Sequence, residues 1–316
     1  MIFLREGYSE SYVKSSMSIA GIFCDSNMDA SELSQGSYHV TSRRRIAEKI
    51  ERGGESYYRY NIITCINHGL ARQEKPLPSS IPIQLTFTRA SAKKGLLQIS
   101  DKKADNTEFS YTDKVVTLIN PTLCCYFVES QKADQFYGKT KLYDVGLNFL
   151  DYSLRRELLM DNVADFNLKL YEGPLPSIVI MGLIKPSVFD GDFASSALKF
   201  QRHNLESFEM LVDSQPVVNH PLKMKQNNAV EFFSNYLRNT NRFYNTYSNG
   251  SLSFEDFTDS NFLVFTNLKA DNYTHGQLTL KMKFASVLEE KLFCIFIPIY
   301  EKQLVFDSYF NVQIQH

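Results

Sequence analysis

Short segments in which apolar and polar residues alternate dominate the second half of the chain. In residues 277–284 (Gln-Leu-Thr-Leu-Lys-Met-Lys-Phe), every second side chain is apolar and would point to one face of a β-strand. Eight segments after residue 141 are predicted to be strands. They are residues 142–149, 162–171, 177–184, 205–213, 261–268, 277–284, 291–299 and 303–312. Eight strands are the number that one jelly-roll β-sandwich contains.

The first half of the chain carries fewer strand signals. Residues 81–88 alternate between apolar and polar positions, and residues 114–128 form a long apolar run that an Asn-Pro pair interrupts. Counted generously, residues 1–128 supply four or five strands, which predicts only a partial first jelly roll. The polar residues 129–141 predict a linker, and residues 142–316 a complete second jelly roll. The expected fold class is mainly β, a β-sandwich of the double jelly-roll type with its first domain partial and short helices in its loops.

Two segments carry signals for short helices. Residues 40–53 combine charged residues with good helix formers and end at a pair of glycines, which predicts a helix terminated there. Residues 229–238 are apolar at Val230, Phe233 and Leu237, so that one face of a short amphipathic helix would be buried.

A long polar insertion follows the second predicted helix. Residues 239–253 are rich in Asn, Tyr and Ser. Loops longer than about 12–15 residues in compact domains usually carry function or are disordered, and Tyr is enriched in protein interfaces. We therefore predict an intersubunit contact surface here, with the candidate residues Phe233, Tyr236, Tyr244, Tyr247 and Asn249.

Composition narrows the class of protein. The chain has 24 Phe and 18 Tyr but no Trp, which favours β structure and weakens a carbohydrate-stacking interpretation. A net charge of −1 argues against a general polyanion-binding surface, so no specific nucleic-acid partner is expected. No apolar run approaches the roughly 20 residues of a membrane-spanning helix, and the opening residues predict no secretory signal. Five cysteines, an odd number, are expected to be free thiols in a reducing compartment.

No catalytic or metal-binding pattern is visible. The six histidines are scattered, with no pair at i, i+4, and the chain has neither a nucleophile elbow nor a phosphate-binding loop. The paired acids Glu289–Glu290 and Asp190/Asp192 are interpreted as solvated turn charges, although Asp190-Gly191-Asp192 loosely resembles a calcium loop. We expect no enzyme activity, no cofactor and no metal.

A recurring order of residues resembles a known family. Phe200-x-x-His203 is followed by Val212-Asp213 and then by Gly276-x-Leu-x-Leu-x-x-Lys-Phe-Ala. This order is similar to the C-terminal jelly roll of capsid proteins encoded by Maverick/Polinton-type elements and adintovirus-like DNA viruses. The resemblance is strongest over residues 170–316. The residues that carry it as structural positions are Phe200, His203, Val212, Asp213, Gly276, Lys283 and Phe284.

The resemblance implies a structural subunit without enzyme activity. Such a subunit would form a homotrimer, a pseudo-hexagonal capsomer of paired jelly rolls, and capsomers would build a viral or virus-like shell. Its partners would be further copies of itself, and possibly other capsid proteins or a chain that supplies the missing strands. It would reside in the virion after assembly inside the host cell, in the nucleus or the cytoplasm.

Two other classes stay open on the residues alone. A jelly-roll binding module for a glycan or protein ligand would use residues 239–253 as its mouth. A jelly-roll hydrolase or cupin would need clustered histidines and acids, which the spacing does not supply.

Overall fold

The structure is a computed structural model. It describes residues 47–63, 66, 69, 77, 83–88, 121–125, 145–190, 200–217, 221–224, 229–239, 253–269, 272–306 and 312–315. The strands are β1 (Ala47–Arg52), β2 (Glu55–Tyr60), β3 (Val145–Tyr152), β4 (Arg155–Leu159), β5 (Asp165–Pro174), β6 (Ile178–Ile184), β7 (Leu205–Val212), β8 (Gln215–Pro216), β9 (Leu222–Lys223), β10 (Leu263–Asn267), β11 (His275–Phe284), β12 (Leu292–Phe306) and β13 (Val312–Gln315). The helices are α1 (Pro186–Asp190), α2 (Val230–Asn239) and α3 (Phe254–Ser260).

Strands β3 to β12 form a jelly roll with antiparallel strands. In the first sheet, β10 pairs with β6, β6 with β12, and β12 with both β3 and β4, which together act as one interrupted strand. In the second sheet, β5 pairs with β11, β11 with β7, and β7 with the short strands β8 and β9. When β3 with β4 and β8 with β9 are each counted as one strand, there are eight in chain order. The first then pairs with the eighth, the second with the seventh, the third with the sixth and the fourth with the fifth. This nested pairing is the jelly-roll arrangement and confirms the predicted fold class.

Two of the predicted strands differ from the observed ones. Residues 291–299 and 303–312 were expected to be separate strands, but β12 runs unbroken from Leu292 to Phe306. The polar residues in its middle do not end the strand, because β3 and then β13 continue to pair with it there. Because two predicted strands merge into β12, one of the eight jelly-roll strands must come from elsewhere. It is formed by β8 and β9, each two residues long and too short to show alternation.

The first helical prediction is wrong. Ala47–Arg52 forms a strand that pairs with Glu55–Tyr60, so this segment is a β-hairpin. Gly53 and Gly54 have φ angles of 65° and 83°, which glycine adopts without strain, and a two-residue turn of this kind joins antiparallel strands. The same glycine pair that was interpreted as a helix terminus is therefore the hairpin turn.

The predicted strand over residues 81–88 is not observed in its described part. Residues 83–88 form no strand, and Ile83, Leu85 and Phe87, expected on a buried face, are 61%, 45% and 74% exposed. Most of residues 1–144, including the proposed linker, lies outside the described residues, so the division into two domains stays a prediction. One contact with the jelly roll is described: a Cβ added to Gly69 would collide with the backbone of Leu150 in β3.

The core has three layers at its centre. Alternate residues of β6 face the second sheet, as successive side chains of a strand point to opposite faces. Its other residues face α2, since Ile180 is the cross-strand partner of Phe265, and the Phe265 ring lies 5.4 Å from that of Tyr236. From Val179 to Ile184 every residue of β6 is therefore buried.

Candidate functional site

The predicted contact surface centres on α2 and the insertion after it. The structure places Phe233 and Tyr236 on α2, whereas Tyr244, Tyr247 and Asn249 lie outside the described residues. The second helical prediction is confirmed, because residues 229–238 match α2 within one residue at each end.

Aromatic rings fasten α2 and α3 to each other and to β10. The Phe257 ring lies 5.2 Å from Phe233, 5.5 Å from Tyr236 and 5.3 Å from Phe262. Phe232 in turn lies 5.1 Å from Phe262. Aromatic pairs at these separations add about 0.5–1.5 kcal/mol each beyond the area they bury. We call Phe232, Phe233, Tyr236, Phe254, Phe257, Phe262 and Phe265 the aromatic cluster.

Burial in this cluster corrects one predicted contact residue. Tyr236 is 0% exposed, so its side chain has no surface to offer a second subunit and serves the core instead. The predicted apolar face is also rotated, since Phe232 and Tyr236 are the fully buried residues of α2 and Val230 is 54% exposed. Phe233 is partly buried and packs against the core, between Tyr236, Phe254 and Phe257.

The two helices hold both ends of the undescribed residues 240–252. At the end of α2, the Asn239 side-chain amide donates hydrogen bonds to the carbonyl oxygens of Asn235 (3.0 Å) and Phe265 (2.9 Å). At the start of α3, the Phe257 amide donates to the Ser253 carbonyl at 3.0 Å. The two flanking residues, Asn239 and Ser253, are therefore held by hydrogen bonds to described helices and to β10.

Three of the family-motif residues meet where β7 ends and β11 begins. The Asp213 carboxylate accepts a hydrogen bond from the Gln277 amide at 2.8 Å, and the Asp213 amide donates to the Gln277 carbonyl at 2.9 Å. Gly276 has φ 142°, and a Cβ there would lie 2.6 Å from the Asp213 carboxylate and 2.9 Å from Val212. Val212, Asp213 and Gly276 therefore form one structural lock, in which glycine is required for both conformation and space.

Three of the other motif residues, His203, Lys283 and Phe284, lie at the opposite end of the same strand pair, whereas Phe200 packs on β6 of the first sheet. Phe284 is 1% exposed and its ring meets Phe166 edge-on at 5.8 Å. Phe200 is 4% exposed, and its carbonyl accepts a hydrogen bond from the Phe262 amide at 3.1 Å. Lys283 is exposed and binds Glu206 at 3.0 Å, a hydrogen bond that raises the pKa of the lysine.

His203 occupies the turn that enters β7. It has φ 48°, a left-handed conformation uncommon for a residue other than glycine. Burial lowers its pKa to about 4, against the opposing effect of Glu290, while Lys185 lowers it further. Lys185 and Glu290 pair with each other at 2.6 Å. The imidazole is therefore neutral near pH 7 and acts as a structural residue of the turn.

The described residues hold no constellation that suggests chemistry. No group of three or more His, Cys, Asp or Glu among them could hold a metal ion. Burial raises the pKa of the Cys294 thiol well above its ordinary value, so it is an inert core residue. A groove of about 380 Å³ on the outer face of the second sheet contains Lys281 and Lys283, but Glu209 and Glu206 face them at 4.0 and 3.0 Å.

Sequence reasoning missed α3 as an element of this site. Phe257 belongs to the segment Ser253-x-Glu-Asp-Phe, and the structure places it at the centre of the aromatic cluster. Its spacing from Phe254 was the available signal, because residues three apart share one face of a helix. None of the helices in the described ranges is long and apolar enough to cross a membrane.

Comparison with known proteins gives viral capsid proteins as structural neighbours. No protein-family model and no curated protein matches the chain. The PBCV-1 virus capsid is similar at a TM-score of 0.37 and 9% identity, covering 60% of this chain and 55% of that one. The mavirus major capsid protein follows at 0.33 and 9%, covering 54% and 41%, and the Sputnik virophage at 0.33 and 11%, covering 54% and 39%. This chain therefore spans less than two thirds of the length of each of these neighbours.

Proposed function

We propose that this protein is a capsid-type structural protein without enzyme activity, which assembles as a homotrimeric capsomer into a viral or virus-like shell. The observation that carries the proposal is the nested pairing of β3 to β12, with six of the seven motif residues at the two ends of the β7–β11 pair and Phe200 on β6. Those residues are the ones whose order resembles capsid proteins of Maverick/Polinton-type elements and adintovirus-like viruses. The proposed location is the virion.

The contacts of the charged and polar motif residues support a structural role for this domain. Asp213 holds a strand end, His203 is neutral in a turn and Lys283 is paired with Glu206. Each of these groups is occupied by a contact within the domain, and Lys283, although exposed in the groove on the second sheet, is paired with Glu206 there. In this domain the same residue types stabilise a rigid two-sheet sandwich, which is what a shell subunit needs in order to present its loops in fixed positions.

We further propose that residues 1–128 are a partial first jelly roll completed by a partner chain. Support comes from Ile83, Leu85 and Phe87, which alternate with polar residues in the sequence and are exposed in this chain. Apolar side chains with this spacing are suited to one face of a strand, and an added strand from a second copy or another capsid protein would bury them.

Molar mass as a function of concentration tests the proposal. Light scattering on the purified protein at rising concentration is expected to give three times the 36.4 kDa chain mass, and electron microscopy of the concentrated sample to show closed or curved assemblies. A chain that stays monomeric at high concentration and in high salt would contradict a shell-building role.

A binding module for a glycan or protein ligand is the second candidate function. The observation that favours it is that Asn239 and Ser253, the described residues next to the predicted mouth, are held by hydrogen bonds to β10 and α3. A glycan screen tests it, and a hit that is lost on Tyr244→Ala or Tyr247→Ala, in a chain that does not assemble, would favour this function over the capsid role.

A further inference from the structure

We propose that the edge strand β4 makes a two-fold contact, in which it pairs antiparallel with β4 of a second copy of this chain. The inference extends the proposed function, since a two-fold contact would join one trimer to the next. The contact itself depends only on β4, so the two proposals can fail separately.

Strand β4 lies at the edge of the first sheet. Its five residues pair on one side with β12, from Leu159 opposite Leu292 to Arg155 opposite Phe296, and on the other side with no strand among the described residues. Arg155, Arg156 and Glu157 are exposed. An edge strand presents a row of backbone donors and acceptors that a further strand can pair with.

Apolar residues continue along this edge. Leu154, Leu158 and Met160 are 54%, 46% and 47% exposed. Their separation by even numbers of residues places them on one face of this edge with Arg156. The Arg156 guanidinium lies over the rings of Phe293 (4.7 Å) and Phe189 (5.0 Å), which extends the apolar surface beneath it.

The sequence of the edge is complementary to itself. A two-fold axis through Arg156 places Leu154 opposite Leu158 of the second copy, and Arg155 opposite Glu157. Each of these pairs occurs twice, because the contact is isologous. Opposite charges and apolar pairs across antiparallel strands contribute roughly 0.2–1 kcal/mol each. The leucine pairs and the ion pairs lie on opposite faces of the extended sheet.

Arg156 is the one residue that meets its own copy. Its charge is compensated within each chain, since its guanidinium lies 3.5 Å from the Asp190 carboxylate. A shift of the two-fold axis by one residue in either direction removes the ion pairs. An axis through Arg155 puts Arg155 opposite Arg155, and an axis through Glu157 puts Glu157 opposite Glu157, and neither register forms an ion pair. Charge complementarity therefore selects a second copy as the partner and fixes the register.

A disulfide at the axis tests the contact. In a background that keeps only the buried Cys294, Arg156→Cys places two thiols on residues whose Cα atoms are roughly 4.5–5.5 Å apart, within the range of a disulfide. Arg155→Cys is the matched control, because its two copies would lie roughly 8 Å apart and cannot be bridged. Mild oxidation is expected to convert most of the first variant to a covalent dimer and to leave the control monomeric on a non-reducing gel.

Charge exchange provides a second test that keeps the native Arg156. Glu157→Arg should weaken self-association in sedimentation, because two arginine pairs replace two ion pairs. Arg155→Glu combined with Glu157→Arg should restore it, since the opposite charges are merely exchanged. Thermal unfolding of each variant shows that the chain is folded.

The outcomes separate the two proposals. Trimers in light scattering, with the two cysteine variants cross-linking equally, would overturn the two-fold contact and leave the capsid role intact. Selective cross-linking at residue 156 in a chain that never trimerises would support the contact and count against the capsid role.

Discussion

The central strands of the two sheets, β6 and β11, are buried in different ways. Every residue of β6 from Val179 to Ile184 is buried, whereas the second half of β11 alternates between buried and exposed. The difference arises because the aromatic cluster covers the outer face of the first sheet, while lysines cover that of the second. A strand that is apolar at every position thus indicates two covered faces. Helices α2 and α3, which follow β9, are therefore part of the core, and contact surfaces should be sought on edges and loops.

Removal of the Phe257 ring, which packs α2 and α3 together on the outer face of the first sheet, should have the largest effect on stability. Phe257→Ala deletes a 0% exposed side chain and should lower the free energy of unfolding by about 3–5 kcal/mol, measured by urea denaturation. Phe254→Ala is the control, since Phe254 is 40% exposed in the same cluster and should cost far less. Equal losses for the two variants would show that the helices are not a core layer.

The turn that connects the two sheets should make stability depend on pH. Burial lowers the pKa of His203 to about 4, below its unfolded value of about 6.5, so the unfolded chain binds the proton first as the pH falls. Stability should be fully present above pH 6.5 and fall by up to about 3 kcal/mol towards pH 4. His203→Asn, which tolerates the same φ, should remove this part of the dependence. An unchanged pH profile of the unfolding free energy would contradict a neutral, partly buried His203.

Gly182 lies on the covered face of β6, where its neighbours leave no room for a side chain. A Cβ at Gly182 would lie 2.7 Å from the Phe200 ring and 2.9 Å from Leu263. Gly182→Ala should therefore destabilise the protein by about 1–3 kcal/mol. The cost should shrink when Phe200→Leu is also present, because the smaller side chain makes room. Additive losses in this double-mutant cycle would show that the two residues do not touch.

The structural lock where β7 ends and β11 begins should contribute less to the free energy of unfolding than the Gly182 contact does. Asp213→Ala removes the acceptor of the Gln277 amide and places alanine at φ 49°, which together should cost about 1–2 kcal/mol. Asp213→Asn keeps an acceptor and tolerates this φ, so it should retain most of the stability. Thermal unfolding of both variants measures the difference, and identical behaviour would argue against the hydrogen bond.

The solvent-facing side of β11 should be the least sensitive region. Lys281 is exposed, and its nearest acid, Glu209, lies 4.0 Å away. Lys281→Gln should change the unfolding free energy by less than about 0.5 kcal/mol. A loss comparable to that of Phe257→Ala would mean that this face is covered as well, and the contrast between the sheets would disappear.

The elements with a clear hydrophobic pattern were predictable from the sequence. The segment 177–184 differs from β6 by one residue, and 277–284 from β11 by two. Their length and apolar spacing fix both the element and its buried face. Among the motif residues, Asp213, Gly276 and Phe284 lie at a strand end or in the core, where their contacts are those of a turn and of packing.

The buried face of α2 and the bounds of three strands depend on tertiary contacts that the sequence pattern does not contain. Helix α2 carries two adjacent apolar stripes, one with Phe232 and Tyr236 and one with Phe233 and Leu237. Periodicity does not choose between them, and the position of Phe265 on β10 buries the first. The two-residue strands β8 and β9 are too short to alternate, and the polar middle of β12 continues because neighbouring strands pair with it.

The most direct test of a shell-building role is the molar mass of the purified chain across a wide concentration range, with electron microscopy of the most concentrated sample. The account predicts particles at three times 36.4 kDa that grow into larger shells as the concentration rises. A single 36.4 kDa species at every concentration and salt would contradict it.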